Sequence, residues 1–529
     1  MSLASLLAQV VEHSSRTPLW VVLGYFSLLI GLGLIARGMF RGTSGDYYVA
    51  SRSIGPFLLL MSLFGTTMTA FALVGSTGKA YDKGVGVYGL MASMSGIIHS
   101  LVFFLIGVRI WAIGKRHGFV TQIQFFRARF ESNALGYLLF PFLVALVVGY
   151  LLIGIIGAGV VVRGISQAAG PNPGMFPETF EGGGVPPALT GLIVSAIVLF
   201  YIFSGGLRAA AMANAFQTAV FMITGVVAFW LLSDALGGVE AASAATLANP
   251  DASGHLAREG LLGHGQFLSY AFIPLSVGMF PHLFQHWLTA KSAKSFRLSI
   301  VLHPIFIMIV WVPCILLGIW ALGDGMTASS SNAILGKMVA VKLKDPLLTG
   351  LLVAGILAAI MSSLDSQFVC LGTMFTHDIV LHRAGEGRYT DKQIVTMGRV
   401  FIVVIVLVTY GLSLLKNPHV FDLAVWCFSG FASLTPIVFA ALYWKRATAA
   451  GAIAAVLTTA ATWAWFFYDG LIGPAIEGTK SGEEYLVAGL MPVTYMFAAS
   501  AVAMVGVSLM TRPPSAAHVQ RFFPAEEAA

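Results

Sequence analysis

The sequence predicts an all-α polytopic membrane protein with about 13 transmembrane helices. Of its 529 residues, 57% are hydrophobic and only 10% are charged, whereas a soluble protein carries about 25% charged residues. The apolar residues are gathered into stretches of about 20 residues, the length that crosses a bilayer. Thirteen such stretches follow one another along the chain: 18–39, 54–78, 85–113, 135–162, 187–204, 209–234, 267–289, 298–322, 347–380, 397–415, 419–443, 449–468 and 486–510.

The basic residues predict the orientation of the chain in the cell (inner) membrane. Cytoplasmic connections carry an excess of Lys and Arg. With the N-terminus outside, about two thirds of the 30 basic residues lie on the inner side, and an odd number of spans leaves the C-terminus cytoplasmic. The net charge of +7 is therefore a sign of topology rather than of nucleic-acid binding.

Residues 357–367 combine hydroxyl groups and a carboxylate inside an apolar stretch. Four positions fall on one helical face: Ala359, Ser362, Ser363 and Ser366. Asp365 flanks this face, and a carboxylate near the bilayer centre marks a functional site because it is costly without a partner. Oxygen ligands on one face suit a small hard cation, which indicates ion-coupled transport. The alternative is that each hydroxyl only bonds a helix carbonyl one turn back.

Two of the thirteen stretches contain residues that weaken a helix. In 54–78, Gly65 stands beside three threonines, and 267–289 contains Pro274, Gly278 and Pro281. Broken helices in corresponding positions of two halves indicate the binding site of a transporter. These stretches are the second and the seventh, a spacing that fits two inverted five-helix repeats.

This spacing divides the predicted single transmembrane transporter domain, residues 1–529, into four parts. They are a peripheral helix at 18–39, an inverted-repeat core at 54–443, two peripheral helices at 449–510 and a cytoplasmic tail at 511–529.

Five motifs together resemble the sodium:solute symporter family, and they extend over most of the chain. They are Ser53-Ile-Gly-Pro with 62–78, the Gly-Gly-Leu run at 204–217, Pro281-His282 with Ala290-Lys-Ser292, Leu442-Tyr-Trp-Lys-Arg-Ala-Thr, and the serine-rich run at 358–366. The resemblance implies thirteen helices around a five-plus-five inverted-repeat (LeuT-type) core with broken first and sixth core helices. It also implies a sodium-coupled symporter that imports a small organic solute by alternating access, and not an enzyme.

The family resemblance also implies a set of sodium ligands. They are the backbone carbonyls of Gly65, Met68 and Ala359 and the hydroxyls of Ser362 and Ser363. These five oxygens include no carboxylate, which suits a monovalent cation that must leave in every cycle.

Two positions depart from the family pattern. Asn214 stands where the family usually has Asp, which in some members helps to form a second sodium site. Asp365 and Ser366 lie on the helix opposite, so Asp365, Ser366 and Asn214 are a second candidate cation site. In the alternative, Asp365 only pairs locally and one sodium ion is carried. The second departure is His286, where relatives often have Arg.

The solute is expected beside the broken helices, near the bilayer midplane. Candidate contacts are Thr66, Thr67, Thr69, His99, Ser276 and Phe280. The motifs are closer to pantothenate- and monocarboxylate-type carriers than to sugar carriers, which favours a carboxylate. A sugar or amino-acid carrier and a proton-coupled carrier of the same fold remain alternatives, and the sequence leaves the oligomeric state open.

Overall fold

The computed structural model describes residues 16–39, 43, 47–48, 52–167, 174–328, 330–343, 345–385, 387–415, 420–476 and 484–523. These residues form helices and connecting turns, and their extended contacts are isolated bridges such as Ile54 with Ala290. The sequence prediction of an all-helical protein is therefore confirmed.

The main helices are numbered here in chain order. They are α1 (Thr17–Met39), α2 (Pro56–Thr67), α3 (Phe71–Lys83), α4 (Gly86–His117), α5 (Gln122–Phe130), α6 (Asn133–Ser166), α7 (Pro187–Ala235), α8 (Val239–Ala248), α9 (His264–Gly278), α10 (Pro281–Thr289), α11 (Ala293–Gly323), α12 (Ile334–Lys342), α13 (Pro346–Ala384), α14 (Asp391–Ser413), α15 (Val420–Tyr443), α16 (Ala449–Ile472), α17 (Pro492–Met510) and α18 (Ala516–Phe522). Short helical turns lie at Glu181–Gly183, Pro250–Ser253, Gly254–Leu256, Ser331–Ala333 and Gly473–Ile476.

The number of membrane-spanning helices agrees with the sequence prediction. Ten described helices are long and apolar enough to cross a bilayer, and the bent pairs α2–α3 and α9–α10 raise the number to 12. Helix α7 has 49 residues and contains Gly206 with a φ of 57°, a conformation that L side chains rarely adopt. Helix α7 is long enough to form two spans, one before and one after Gly206. Counted in this way, the described residues form thirteen membrane spans.

Both predicted breaks are present. Helices α2 and α3 meet at 58°, and α9 and α10 meet at 49°. Helix α2 ends because Met68 is extended, with φ −88° and ψ 99°. Pro281 occupies the first turn of α10, where its missing N–H removes no helical hydrogen bond.

Helix α13 lies at the centre of the bundle. In the apolar stretch of α13 that is long enough to cross a bilayer, 83% of the residues are buried, against 28% in α16 and in α17. It packs against α7, α1, α6 and α2. Residues on α13 are therefore enclosed by protein, whereas α16 and α17 have most of their surface free for lipid.

The bundle has two ends, named here by one residue each. The Lys79 face contains Lys79, Asp422 and Glu484, which are joined by ion pairs. The Arg129 face lies at the opposite end of α15, where Arg129 bonds the carbonyls of Ala441 and Trp444.

Candidate functional site

The break between α2 and α3 brings backbone oxygens against α13. The hydroxyl oxygen of Ser362 lies 2.7 Å from the carbonyl oxygen of Gly65 and 2.8 Å from that of Ala359. Ser363 donates a hydrogen bond of 2.9 Å to the Ile360 carbonyl. Met68 is fully buried in the same break. The structure thus brings the Gly65 carbonyl against Ser362 and Ala359 of α13, whereas Ser363 bonds its own helix and Met68 follows three residues after Gly65.

A glycine is needed where α2 approaches its neighbours. A Cβ atom on Gly65 would lie 2.3 Å from the Thr218 hydroxyl oxygen of α7 and 3.6 Å from the Ser362 Cβ. The carbonyls of a final helical turn have no partner within the helix. Close approach without a side chain thus places the Gly65 carbonyl oxygen beside the Ser362 hydroxyl, and neutral oxygens of this kind can coordinate a hard monovalent cation.

A second polar cluster lies one turn further along α13. Tyr201 donates a hydrogen bond of 3.2 Å to the Asp365 carboxylate. With its amide nitrogen turned toward Asp365, Asn214 donates to the two carboxylate oxygens at 2.9 and 3.1 Å and to the Ser362 carbonyl at 2.7 Å. Its amide oxygen then accepts from Ser366 at 2.8 Å. The three residues predicted as a second cation site are therefore in direct contact.

His286 joins this second cluster from α10. Its Nε2 lies 3.0 Å from the Ser366 hydroxyl, and its side chain is 1% exposed. The cluster consequently links α7, α13 and α10, three helices that surround the broken segment.

A small cavity lies beside the break. Of the residues predicted to contact the solute, Thr67, His99, Ser276 and Phe280 line it. The rest of its wall is mainly aromatic or aliphatic: Phe71, Ser95, Tyr150, Tyr270, Ile273, Pro274, Val277, Trp311 and Phe428. This lining contains no Lys, Arg, Asp or Glu side chain.

Thr66 and Thr69 are outside the cavity lining. Thr66 is buried, and its hydroxyl has no hydrogen-bond partner in the described part of the chain. Thr69 accepts a hydrogen bond of 3.0 Å from the Phe71 amide, at the start of α3.

Two histidines meet at the wall of the cavity. The Nδ1 atom of His99 on α4 lies 3.1 Å from the Nε2 atom of His303 on α11. His99 faces the cavity, whereas His303 is packed between the rings of Phe64 and Phe103. Sequence analysis singled out His99 but gave no role to His303.

The Lys79 face is closed above the cavity by charged groups. The Lys79 ammonium lies 2.8 Å from the Glu484 carboxylate and 3.6 Å from Asp422. Gln266 donates a hydrogen bond of 2.6 Å to the same Glu484 oxygen. Glu484, in the segment before α17, therefore links α3 to α9, and Lys79 extends this contact to Asp422 on α15.

The Arg129 face is closed by a different set of contacts. Thr121 donates a hydrogen bond of 2.9 Å to Asp378 near the end of α13, and Arg127 lies 3.8 Å from the same carboxylate. Gln122 donates to the Met279 carbonyl in the break between α9 and α10. Side-chain contacts between helices thus hold both ends of the bundle together.

Comparisons with known proteins identify the family. The model of the sodium:solute symporter family matches residues 47–172 and 178–459. Among curated proteins, the osmoregulated proline transporter OpuE of Bacillus subtilis is 25% identical over 94% of this chain and 96% of its own. A sodium/proline symporter of Staphylococcus aureus is 25% identical over 87% of each chain.

Solved structures show the same fold. A Na⁺-coupled sialic acid symporter superposes with a TM-score of 0.72 at 15% identity, covering 95% of this chain and 99% of its own. The nucleobase-cation-symport-1 family transporter Mhp1 gives a TM-score of 0.55 at 13% identity, with 90% and 98% covered. The fold is thus the predicted LeuT type, and with the match of the family model over most of its length, the chain belongs to the sodium:solute symporter family.

Proposed function

We propose that this protein imports a small carboxylate-bearing solute together with sodium, by alternating access. The observation that carries the proposal is the position of the oxygen cluster directly beside the cavity. The Gly65 carbonyl meets Ser362 of α13 two residues before Thr67, which lines the cavity. An ion bound between α2 and α13 would therefore fix the backbone that forms the wall of the solute site.

The sodium ligands in this proposal are five neutral oxygens. They are the carbonyls of Gly65, Met68 and Ala359 with the hydroxyls of Ser362 and Ser363. In the structure, Ser362 donates its hydrogen to the neighbouring carbonyls. When sodium binds, both hydroxyls turn their lone pairs toward the ion, which replaces these hydrogen bonds and ties α2 to α13.

The composition of the cavity supports a solute with an apolar body and few polar groups. A sugar has many hydroxyls, and mainly aromatic walls would leave several of them without partners, at a cost of about 1–3 kcal/mol each. A carboxylate can be stabilised by the N-terminus of α3, because the positive end of the helix dipole attracts anions. Proline, the solute in the names of the similar transporters, and short monocarboxylates both fit this description.

One sodium ion per cycle is the stoichiometry that the second cluster favours. A cation at Asp365, Ser366 and Asn214 needs oxygen lone pairs directed toward it. The Asn214 amide N–H groups instead point at both carboxylate oxygens, and Tyr201 adds a third donor. Asp365 therefore stabilises the contact between α7 and α13 in this proposal, and a second sodium would have to displace the amide.

The orientation in this proposal follows the positive charges. The Arg129 face, with Arg127 and Arg129, is cytoplasmic together with the C-terminus, and the Lys79 face is outside, as is the N-terminus. The protein then lies in the cell membrane, and uptake runs from the Lys79 face to the Arg129 face.

The experiment is solute counterflow in proteoliposomes at fixed pH, with and without sodium. The panel contains proline, short monocarboxylates, pantothenate and glucose. We expect sodium-dependent uptake of a carboxylate and no uptake of glucose. Uptake that ignores sodium but follows a pH gradient would instead establish the proton-coupled alternative.

Sodium-dependent thermal stabilisation tests the ion site. Ser363→Ala should lower the apparent sodium affinity about tenfold, since a lost ligand costs about 1–2 kcal/mol. Ser433→Ala is the matched control, because this buried hydroxyl bonds only the Ser429 carbonyl on α15. The sodium titration should have a Hill coefficient of one. Equal affinities in the two variants would remove Ser363 from the site, and a coefficient near two would contradict the single-sodium proposal.

A further inference from the structure

The His99–His303 pair can hold its shared hydrogen in two ways. A neutral imidazole carries one N–H and one lone pair. In the first arrangement, the Nε2–H of His303 donates to Nδ1 of His99. In the second, the Nδ1–H of His99 donates to Nε2 of His303. Both arrangements satisfy the 3.1 Å contact, so the remaining nitrogen atoms decide between them.

The surroundings of His303 favour the first arrangement. Its Nδ1 is buried and has no hydrogen-bond partner among the described residues, and the ring lies 5.3 Å from Phe64 and 4.9 Å from Phe103 between centroids. The second arrangement would place an N–H at this atom. Buried N–H groups without a partner are rarer than buried acceptors without one, so Nδ1 carries the lone pair and Nε2 carries the hydrogen.

This choice determines what His99 offers to the cavity. When Nδ1 of His99 accepts from His303, the hydrogen of His99 must be on Nε2. His99 lines the cavity, as does Ser95 one helical turn earlier on the same face of α4. In a cavity whose lining has no charged side chain, a fixed N–H donor beside a hydroxyl selects a solute with an acceptor oxygen.

We propose that His303 is a positioning residue that holds His99 in its Nε2–H tautomer, so that His99 donates a hydrogen bond to a carboxylate oxygen of the solute. This inference rests on the proposed function, and it adds to it the side chain that recognises the carboxylate. His303 itself does not touch the solute. Its effect is to prevent His99 from presenting a lone pair, which would repel a carboxylate.

Two substitutions at position 303 separate positioning from packing. His303→Gln keeps an N–H donor that can reach His99, whereas His303→Leu keeps a similar apolar volume and removes the donor. In His303→Leu, Nδ1 of His99 loses its donor, and the contact that holds the His99 ring with Nε2 toward the cavity is lost. We expect the KM for the solute to rise about tenfold, with the maximal rate within about twofold of the parent, because a hydrogen bond to a charged group is worth about 1.5–3 kcal/mol. His303→Gln should stay within about threefold of the parent.

The double variant His99→Leu/His303→Leu completes the test. If His303 acts through His99, the double variant should bind solute no more weakly than His99→Leu alone. Thermal stabilisation by sodium, measured without solute, shows whether each variant keeps a folded ion site.

The outcomes distinguish this inference from the proposed function. If the parent transports no carboxylate in the panel, the proposed function fails. The inference is then judged on the solute that the parent does transport, since the same donor must meet an acceptor oxygen. Equal KM values for His303→Leu and His303→Gln, or losses that add in the double variant, would overturn the inference whatever the solute is.

Discussion

At the scale of single residues, Gly65 has little freedom to change. Its backbone lies between the Thr218 hydroxyl and Ser362, and a Cβ would approach Thr218 to 2.3 Å. Any side chain must therefore push the end of α2 away from α7 or move Thr218. Since the Gly65 carbonyl is a proposed sodium ligand, a shift of a few tenths of an ångström acts directly on the ion site.

Gly65→Ala should accordingly lower the sodium affinity by about tenfold or more, because overpacking costs about 1–3 kcal/mol. Thr218→Ala removes the hydroxyl that the new methyl group would meet. The double variant should therefore regain most of the lost affinity, as measured by sodium-dependent thermal stabilisation. Thr218→Ala alone is the control, since it removes only the hydrogen bond to the Met61 carbonyl. No recovery in the double variant would show that the clash lies elsewhere.

The sequence could predict polar site residues better than aromatic ones. Ser362 and Gly65 stand out in apolar stretches, and the structure brings them together. Tyr150 and Trp311 also line the cavity, but an aromatic residue in an apolar helix ordinarily only packs. Thr66 and Thr67 differ by 100° on a helix, so which of them faced the cavity depended on where α2 ends.

At the scale of helices, composition predicted where the chain breaks but not how. Glycine and threonine in 54–78 and the prolines in 267–289 indicated weak helices, and both bends are present. The angle of each bend depends on helices that pack against it from distant parts of the sequence. The contact between Asn214 and Asp365 likewise joins α7 to α13, a pairing that local patterns do not contain.

Helix α5 contains a buried arginine that the local sequence does not predict. The helix carries two arginines, yet Arg129 is fully buried and donates to the carbonyls of Ala441 and Trp444. Burial lowers the pKa of Arg129 to about 10, so the side chain remains a cation at neutral pH. Helix α18 covers it, and His518 bonds the Arg129 carbonyl at 2.9 Å. The buried cation therefore stabilises the end of α15 and the docking site of the C-terminal helix.

At the scale of the whole molecule, the ion pairs around Lys79 oppose opening of one end. Lys79, Glu484 and Asp422 come from three separate segments. Lys79 is only 8% exposed, so its interactions are little weakened by solvent. Separating α3 from α15 and from the segment before α17 would break both ion pairs.

Lys79→Gln should therefore shift the protein toward a state open at the Lys79 face. It removes the cation and leaves Asp422 and Glu484 to repel each other, whereas Glu484→Gln keeps Lys79 beside Asp422. The reporter is the substitution Ser276→Cys at a cavity residue, combined with each variant. We expect this cysteine to react about tenfold faster with a membrane-impermeant thiol reagent in Lys79→Gln than in the parent. A tenfold increase corresponds to a shift of about 1.4 kcal/mol in the free energy of opening. The increase should be smaller in Glu484→Gln.

The control for this measurement is Lys342→Gln. Lys342 pairs with Asp324 at 2.7 Å, and both side chains are partly exposed, so the pair should contribute little. The three native cysteines, Cys314, Cys370 and Cys427, are replaced by Ala in every variant. A reaction rate in Lys79→Gln equal to that in Lys342→Gln would contradict a gating role for the cluster.

The neutral oxygens of the proposed sodium site have an electrical consequence. Because no ligand carries a charge, the bound ion adds a full positive charge to the moving core. Moving this charge across a membrane potential of 100 mV changes its free energy by about 2.3 kcal/mol. With a zwitterion such as proline, the loaded transporter carries this charge across, and uptake generates a current. With a monocarboxylate, the charges of ion and solute cancel, and the same cycle is electrically silent. The membrane voltage would thus accelerate the loaded transporter for one class of solute and leave it unaffected for the other.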